Sequence, residues 1–157
     1  MRRIIDIYHR VLTLLLVATV AVLIVPVTLQ IASRFTEHIP SYIWTEELAR
    51  LLFVWMIMLG AMIGIRESTH FDVDLLPKLP PRANALVQIV THLFVLVFAL
   101  VFLWWGIKFV QFGWNQLSEL AELPMPFIFL AWPLAGATWI LFLGERFWMN
   151  LKIVFGR

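Results

Sequence analysis

Residues 44–66 read WTEELARLLFVWMIMLGAMIGIR, and the positions of their charges decide how the chain folds. The uncharged part, 51–65, contains 15 residues, which cover only about 22 Å as a helix at ~1.5 Å per residue. The hydrocarbon core of a bilayer is about 30 Å thick. The segment therefore spans a membrane only if its helix begins near Thr45 and Arg66 extends its charged end to the surface, which gives roughly 32 Å. The acidic pair and the first arginine of the segment then belong to the membrane helix.

The composition excludes the soluble classes of protein. Hydrophobic residues make up 62% of the 157 residues and charged residues 14%, against about 45–50% and about 25% in ordinary globular proteins. A water-soluble domain of this size cannot bury so much apolar surface, because small domains leave a large fraction of their area exposed. The basic residues occur singly rather than as a patch, so we predict no nucleic-acid partner. The sequence predicts an integral membrane protein.

Three further uncharged stretches are each long enough to cross a bilayer, and they are 11–33, 83–107 and 123–144. Together with a second helix at about 45–66, they predict an all-α integral membrane protein with four transmembrane helices in a single domain that covers the whole chain. The outer connecting segments are expected to be amphipathic. Of these, 108–122 is expected to prolong the third helix or to lie on the membrane surface.

The distribution of lysine and arginine predicts the orientation. Nine of the 12 basic residues lie in the N-terminal stretch, the loop 66–82 and the C-terminal tail. Cytoplasmic loops carry the excess of lysine and arginine in membrane proteins. We therefore predict that both termini and this loop face the cytoplasm.

The segment 44–50 contains the strongest candidate site. Glu46 and Arg50 are four residues apart, and Glu47 and Arg50 are three apart, so one guanidinium could serve both carboxylates. The simplest interpretation is a neutralised helix start at the headgroup level, where acids also suit the helix dipole. An ion or proton site and a structural lock that binds a partner or a lipid are the alternatives. Because loss of Arg50 would strand both carboxylates, its removal is expected to be the most damaging change in this segment.

A second candidate lies in the loop that follows the second helix. In an extended segment His70, Asp72 and Asp74 would share one face, with apolar residues on the other. One imidazole and two carboxylates are ligands that a metal ion accepts, but no second histidine lies nearby. We predict no metal here and expect a surface strip that docks on the bilayer or on a partner.

The sequence predicts no cofactor and no catalytic site. There is no cysteine, which excludes disulfides, thiolate metal sites and iron–sulfur clusters. Haem ligation by two histidines needs both at matching depth, and only His92 lies well inside a predicted span. No Ser-His-Asp set and no phosphate-binding loop occurs, so the chain is not expected to be an enzyme.

Small residues in the second helix form a candidate packing surface. Gly60 and Gly64 are four residues apart, a spacing that lets helices approach closely in membranes. Such spacings are frequent by chance, so the pair is a candidate for close helix packing and no more.

The order of these parts resembles the small membrane subunit of tripartite ATP-independent periplasmic (TRAP) transporters, the DctQ family. The resemblance is carried by these residues of the second helix and its following loop: Trp44, Glu46, Glu47, Arg50, Trp55, Gly60, Arg66, His70, Asp72 and Asp74. The other helices correspond only as hydrophobic segments.

Such a resemblance implies a multi-pass protein of the bacterial inner membrane that works with a large multi-spanning permease subunit. Its further partners would be membrane lipids and, through the complex, a periplasmic binding protein that delivers an organic acid. Uptake would be driven by an ion gradient, usually of Na⁺, with the ion and substrate sites in the large subunit. Two other classes stay open, a membrane anchor for a redox complex and a small exporter that works as a homo-oligomer.

Overall fold

The computed structural model describes residues 2–36, 40, 42–67, 81–119 and 121–155, and side chains throughout these ranges except at 2, 81–86 and 149–155. Five helices occur within these ranges: α1 Arg2–Phe35, α2 Ile43–Glu67, α3 Pro81–Gly113, α4 Pro126–Phe129 and α5 Ala131–Phe155. In the described part of the chain, four helical segments are long and apolar enough to cross a membrane, the last of them formed by α4 and α5 together. The predicted all-α membrane architecture is confirmed.

The helices are longer than the uncharged stretches that predicted them. α1 contains 34 residues and α3 contains 33, because the charged residues at their ends continue the same helices. α2 begins at Ile43, two residues before the expected start, and ends at Glu67. The acidic pair and Arg50 therefore lie in the first two turns of a helix that is long enough to span the bilayer.

The spanning helices pack in the spatial order α1, α2, α5, α3. α1 lies along α2, α3 lies along α5, and α2 contacts α5 in the centre. Large apolar side chains of α2 and α5 fill the contact between the central helices, with Leu59, Met62 and Phe142 almost completely buried. The outer helices α1 and α3 keep most of their apolar side chains exposed, as surfaces that face lipid or another membrane protein do.

Glycines allow α3 and α5 to approach closely. A Cβ atom at Gly136 would lie 2.6 Å from the carbonyl oxygen of Ala99, and one at Gly106 would lie 2.6 Å from the nitrogen of Pro133. A Cβ at Gly60, in contrast, would meet no described atom within 4 Å. Gly60 itself therefore makes no close contact with the described residues, and the close approach of α3 and α5 is made by the other two glycines.

The connection between α3 and α4 is a compact loop. The third helix continues past Lys108 as expected, but it ends at Gly113, and the remaining residues do not form an amphipathic surface helix. An isolated bridge joins Leu117 to Pro124, and the Met125 N–H donates to the Gln116 carbonyl at 3.0 Å. The backbone of the loop is thus satisfied by folding onto itself, which places its tip beside the first turns of α2.

Candidate functional site

Glu47 occupies the centre of the most elaborate polar arrangement among the described residues. It lies in the second turn of α2 and is only 2% exposed. Its Oε2 atom accepts a hydrogen bond from the Ser118 hydroxyl and another, at 2.7 Å, from the backbone N–H of Ala121. Both donors come from the loop between α3 and α4, more than 70 residues further along the chain. We call these three residues together the Glu47 site.

Ser118 connects the carboxylate to the fold of the loop. While its hydroxyl donates to Glu47, its Oγ accepts the N–H of Leu123 at 3.0 Å, and its own N–H donates to the Leu123 carbonyl at 2.8 Å. Glu122, inside this turn, has a φ of 53°. A residue other than glycine pays about 1–3 kcal/mol for a sparsely populated conformation, and it persists where the surroundings fix it. The Glu47 site thus holds a tightly turned loop against α2.

Arg50 does not bridge both acids as the spacing suggested. Its Nη2 lies 3.5 Å from Oε1 of Glu47, and the arginine side chain is 60% exposed while that of Glu47 is 3% exposed. Glu46 is exposed, and no ion pair between Glu46 and Arg50 occurs in the described structure. Successive residues point about 100° apart around a helix, so only one of two adjacent acids can face the loop. Neutral donors rather than the guanidinium make the short contacts to the buried carboxylate.

Thr45, in the first turn of α2, is 2% exposed and hydrogen-bonds to the residue that precedes the helix. Its Oγ1 donates to the carbonyl of Tyr42 at 2.6 Å, and its N–H donates to the same oxygen at 3.1 Å. Trp44 is exposed, with its ring 6.1 Å from that of Tyr42. These rings lie at the helix end, where aromatic residues commonly sit at the membrane interface.

Trp55 makes a second connection, from α2 to α4 of the same chain. Its Nε1–H donates to the carbonyl oxygen of Phe127, in α4, at 2.8 Å. α4 is separated from α5 at Leu130, three residues before Pro133, which cannot donate a backbone hydrogen bond. α2 therefore holds both the loop, through Glu47, and the short helix that follows it.

The opposite end of the molecule carries a different arrangement, which we call the Arg66 cluster: Arg66, Asp6, Arg146, His9 and Glu67. The Arg66 guanidinium pairs with Asp6 of α1, and its backbone carbonyl accepts a hydrogen bond from Arg146 of α5. His9 Nε2 lies 3.4 Å from a carboxylate oxygen of Glu67. Arg66, expected only to reach the surface, thus connects three helices.

The remaining candidate residues take no part in these arrangements. His70, Asp72 and Asp74 lie outside the described residues, so the surface strip stays a prediction. His92 is buried in α3, with its ring 5.9 Å from that of Phe147. A search of the described ranges finds no group of three histidine, cysteine, aspartate or glutamate residues that could hold a metal ion.

Sequence reasoning missed Ser118, Asp6 and Arg146. The last two could have been found, because alternating helix directions bring the start of α1, the end of α2 and the end of α5 to one end of the molecule. For Ser118 no local signal exists, since a serine in a polar loop is ordinary.

Comparison with known families places these features in context. The family model described as "Tripartite ATP-independent periplasmic transporters, DctQ component" matches residues 23–152, which include the Glu47 site, Trp55 and Arg66. The chain belongs to this family. It is a TRAP transporter membrane subunit and a multi-pass protein of the bacterial inner membrane.

Curated relatives include separate small subunits and a longer permease. A TRAP transporter small permease protein of Haemophilus influenzae is 27% identical over 137 residues, which are 87% of this chain and 84% of the relative. The sialic acid TRAP transporter small permease protein SiaQ of Vibrio cholerae is 36% identical over 98 residues, 62% of this chain and 54% of SiaQ. The sialic acid TRAP transporter permease protein SiaT of Haemophilus influenzae is 34% identical over 105 residues, which are 66% of this chain but only 17% of SiaT.

Proposed function

We propose that the chain is the small, non-catalytic subunit that anchors and orients a large permease subunit in a TRAP transporter. The observation that carries this proposal is the similarity to a segment making up 17% of the permease protein SiaT. In that protein the counterpart of this chain is joined to a much longer remainder, so the two parts work in one assembly. Here we expect the large part to be a separate partner.

The arrangement of the helices supports an anchoring role. Hydrophobic burial does not drive helices together inside a bilayer, so their relative positions depend on close packing and on polar contacts. The Glu47 site and the Arg66 cluster supply such contacts at the two ends of α2. Near the end of α3, Lys108 lies 5.3 and 4.9 Å from the ring centroids of Trp104 and Trp105, a cation–π group suited to the membrane interface.

We infer that the transported substrate is an organic acid delivered by a periplasmic binding protein and driven by an ion gradient. The names of three relatives specify sialic acid, C4-dicarboxylate and isethionate transport, and all three substrates are anions at neutral pH. The buried carboxylate Glu47 is engaged by Ser118 and Ala121, so it is not available to bind a transported ion. This supports ion and substrate sites in the large subunit.

Co-expression with a large TRAP permease subunit tests the proposal. The two chains should co-purify, and liposomes that contain both should take up one of the three anions when the binding protein and a Na⁺ gradient are supplied. Liposomes that contain this chain alone should take up none. Saturable transport by the isolated chain would favour the exporter alternative, and a Soret absorption band in the purified protein would favour the redox anchor.

We further propose that both termini lie in the cytoplasm. The chain has no cysteine, so single-cysteine variants at Lys78 and Glu119 report on one position each. A membrane-impermeant maleimide should label only the second variant in intact spheroplasts and both after lysis. The reverse pattern would invert the orientation.

A further inference from the structure

A polar cavity of about 450 Å³ lies between the last turns of α1 and the first turns of α2. Its walls include Gln30 and Arg34 from α1, and Tyr42, Thr45 and Glu46 from the start of α2. Because Glu46 lines this cavity while Glu47 faces the loop, the cavity and the Glu47 site lie on different faces of the same helix turn. The cavity is therefore separate from the site already described.

The wall of the cavity contains an unused hydrogen-bonding group. The side-chain amide nitrogen of Gln30 is buried and has no partner among the described residues. The Ser33 and Thr45 hydroxyls are already committed, since Ser33 donates to the Gln30 carbonyl at 2.9 Å and Thr45 donates to the Tyr42 carbonyl at 2.6 Å. A buried amide without a partner is unfavourable, so an occupant that offers an acceptor oxygen would be stabilised here.

The described residues that line the cavity include one charge of each sign, Arg34 and Glu46. Arg34 extends from the last turn of α1 and Glu46 from the first turn of α2, and the described structure shows no ion pair between them. A guanidinium matches the geometry of a phosphate group, and a carboxylate matches an ammonium group. A complementary occupant therefore carries both an anionic phosphate and a cationic amine.

The surroundings of the cavity are those of a lipid rather than of a soluble ligand. The cavity lies at the ends of two helices that are long and apolar enough to span a membrane, and the headgroups of a bilayer lie beside the ends of such helices. Exposed apolar side chains adjoin it on the same helix ends, with Ile31 53%, Phe35 86% and Ile43 60% exposed. An occupant with acyl chains can lie along this apolar surface while its polar group enters the cavity.

We propose that this cavity binds the headgroup of a phosphatidylethanolamine molecule. The phosphate contacts Arg34 and, once the Gln30 side chain turns its buried amide toward the cavity, that amide as well, and the primary ammonium contacts Glu46. The inference goes beyond the proposed transport role and does not depend on it, because it concerns a lipid site formed by this chain alone.

Native mass spectrometry of the purified full-length chain tests the site. The detergent-solubilised protein is incubated with phosphatidylethanolamine or with phosphatidylglycerol, which has the phosphate but no ammonium group. The parent should retain more of the first lipid, and Glu46→Gln should abolish this preference without lowering phosphatidylglycerol binding. Arg34→Gln should weaken both lipids about tenfold, the loss expected for one charge-assisted hydrogen bond.

Two exposed positions supply matched controls. Glu119→Gln and Arg10→Gln remove the same charges elsewhere on the surface and should leave both lipids unaffected. Equal losses in the control variants would mean non-specific lipid attachment and would overturn the proposal. An unchanged lipid preference in Glu46→Gln would overturn it as well.

If the Arg34 and Glu46 variants instead lose binding of the periplasmic protein while they retain lipid like the parent, the occupant is a protein segment. A chain that binds the lipid but forms no transporter would refute the proposed function and leave this site standing.

Discussion

The two ends of α2 stabilise the protein in physically different ways. At one end, the carboxylate of Glu47 is 3% exposed and accepts hydrogen bonds from the Ser118 hydroxyl and the Ala121 N–H of a distant loop. At the other end, Arg66 pairs with Asp6, whose side chain is 55% exposed, across two helices. Hydrogen bonds to a charged group contribute about 1.5–3 kcal/mol, whereas exposed ion pairs contribute about 0–1 kcal/mol.

The comparison of the Glu47 site with the Arg66 cluster shows that the number of charges does not identify the residue whose loss destabilises the protein most. The Arg66 cluster contains more charged groups, yet water can replace many of their interactions. If Glu47 is removed, Ser118 and Ala121 lose their hydrogen-bond acceptor. The position is buried, so water replaces that acceptor poorly. We therefore expect sensitivity to substitution to follow burial rather than the number of charges.

The largest effect is expected for Glu47→Ala. The change leaves the Ser118 hydroxyl and the Ala121 N–H without their acceptor, at about 1–3 kcal/mol each, so the free energy of unfolding should fall by about 2–6 kcal/mol. Thermal unfolding in detergent, followed by circular dichroism, measures the loss. The adjacent exposed acid gives the matched control, Glu46→Ala, which should stay within about 0.5 kcal/mol of the parent. Equal losses in the two variants would contradict the difference between buried and exposed acids.

A smaller effect is expected for Ser118→Ala. This variant keeps the Ala121 contact to Glu47 but removes one donor to the carboxylate and one acceptor for the Leu123 N–H, which should cost about 1–3 kcal/mol. Limited proteolysis of the loop should accelerate together with the loss of stability. Ser33→Ala is the control, because the Ser33 hydroxyl donates only within its own helix end. If protease cuts the Ser118 variant no faster than the parent, the hydroxyl does not hold the loop.

Asp6→Asn should have a modest effect that depends on salt. The exposed pair with Arg66 contributes at most about 1 kcal/mol, and this contribution should shrink between 0.05 and about 1 M salt because the Debye length falls to about 3 Å. The loss caused by Glu47→Ala should change little over the same range, since its contacts are buried. A salt-independent Asp6 effect would mean that the Arg66 cluster is screened from water like the Glu47 site.

The smallest effect is expected for Arg50→Gln, at about 0.5 kcal/mol or less. Its side chain is 60% exposed and lies 3.5 Å from a carboxylate that has two better donors. From these contacts we expect the reverse of the order that spacing alone suggested, in which loss of Arg50 was the most damaging change. Recovery of folded protein by size-exclusion chromatography should equal that of the parent, and a loss comparable to Glu47→Ala would restore the order based on spacing.

Local sequence determined most of the architecture. Uncharged stretches of about 20 residues must form helices in a bilayer, because an isolated segment satisfies its backbone there only as a helix. The short stretch 51–65 even required the second helix to include the acidic pair, and α2 does begin before it. The resemblance to the DctQ family also rested on residues of this one helix and the loop after it, because their types and spacing are fixed along the chain.

Only the tertiary structure decided which of these residues interact with each other. Which of the two adjacent acids is buried depends on the rotation of α2 against a loop that begins more than 65 residues later. The same holds for Asp6 and Arg66, which are 60 residues apart, and for the glycines that face α3 or α5 rather than Gly60. Periodicity along one helix specifies which side chains share a face. It carries no information about which neighbour covers that face, because this follows from how all the helices and their connections pack together.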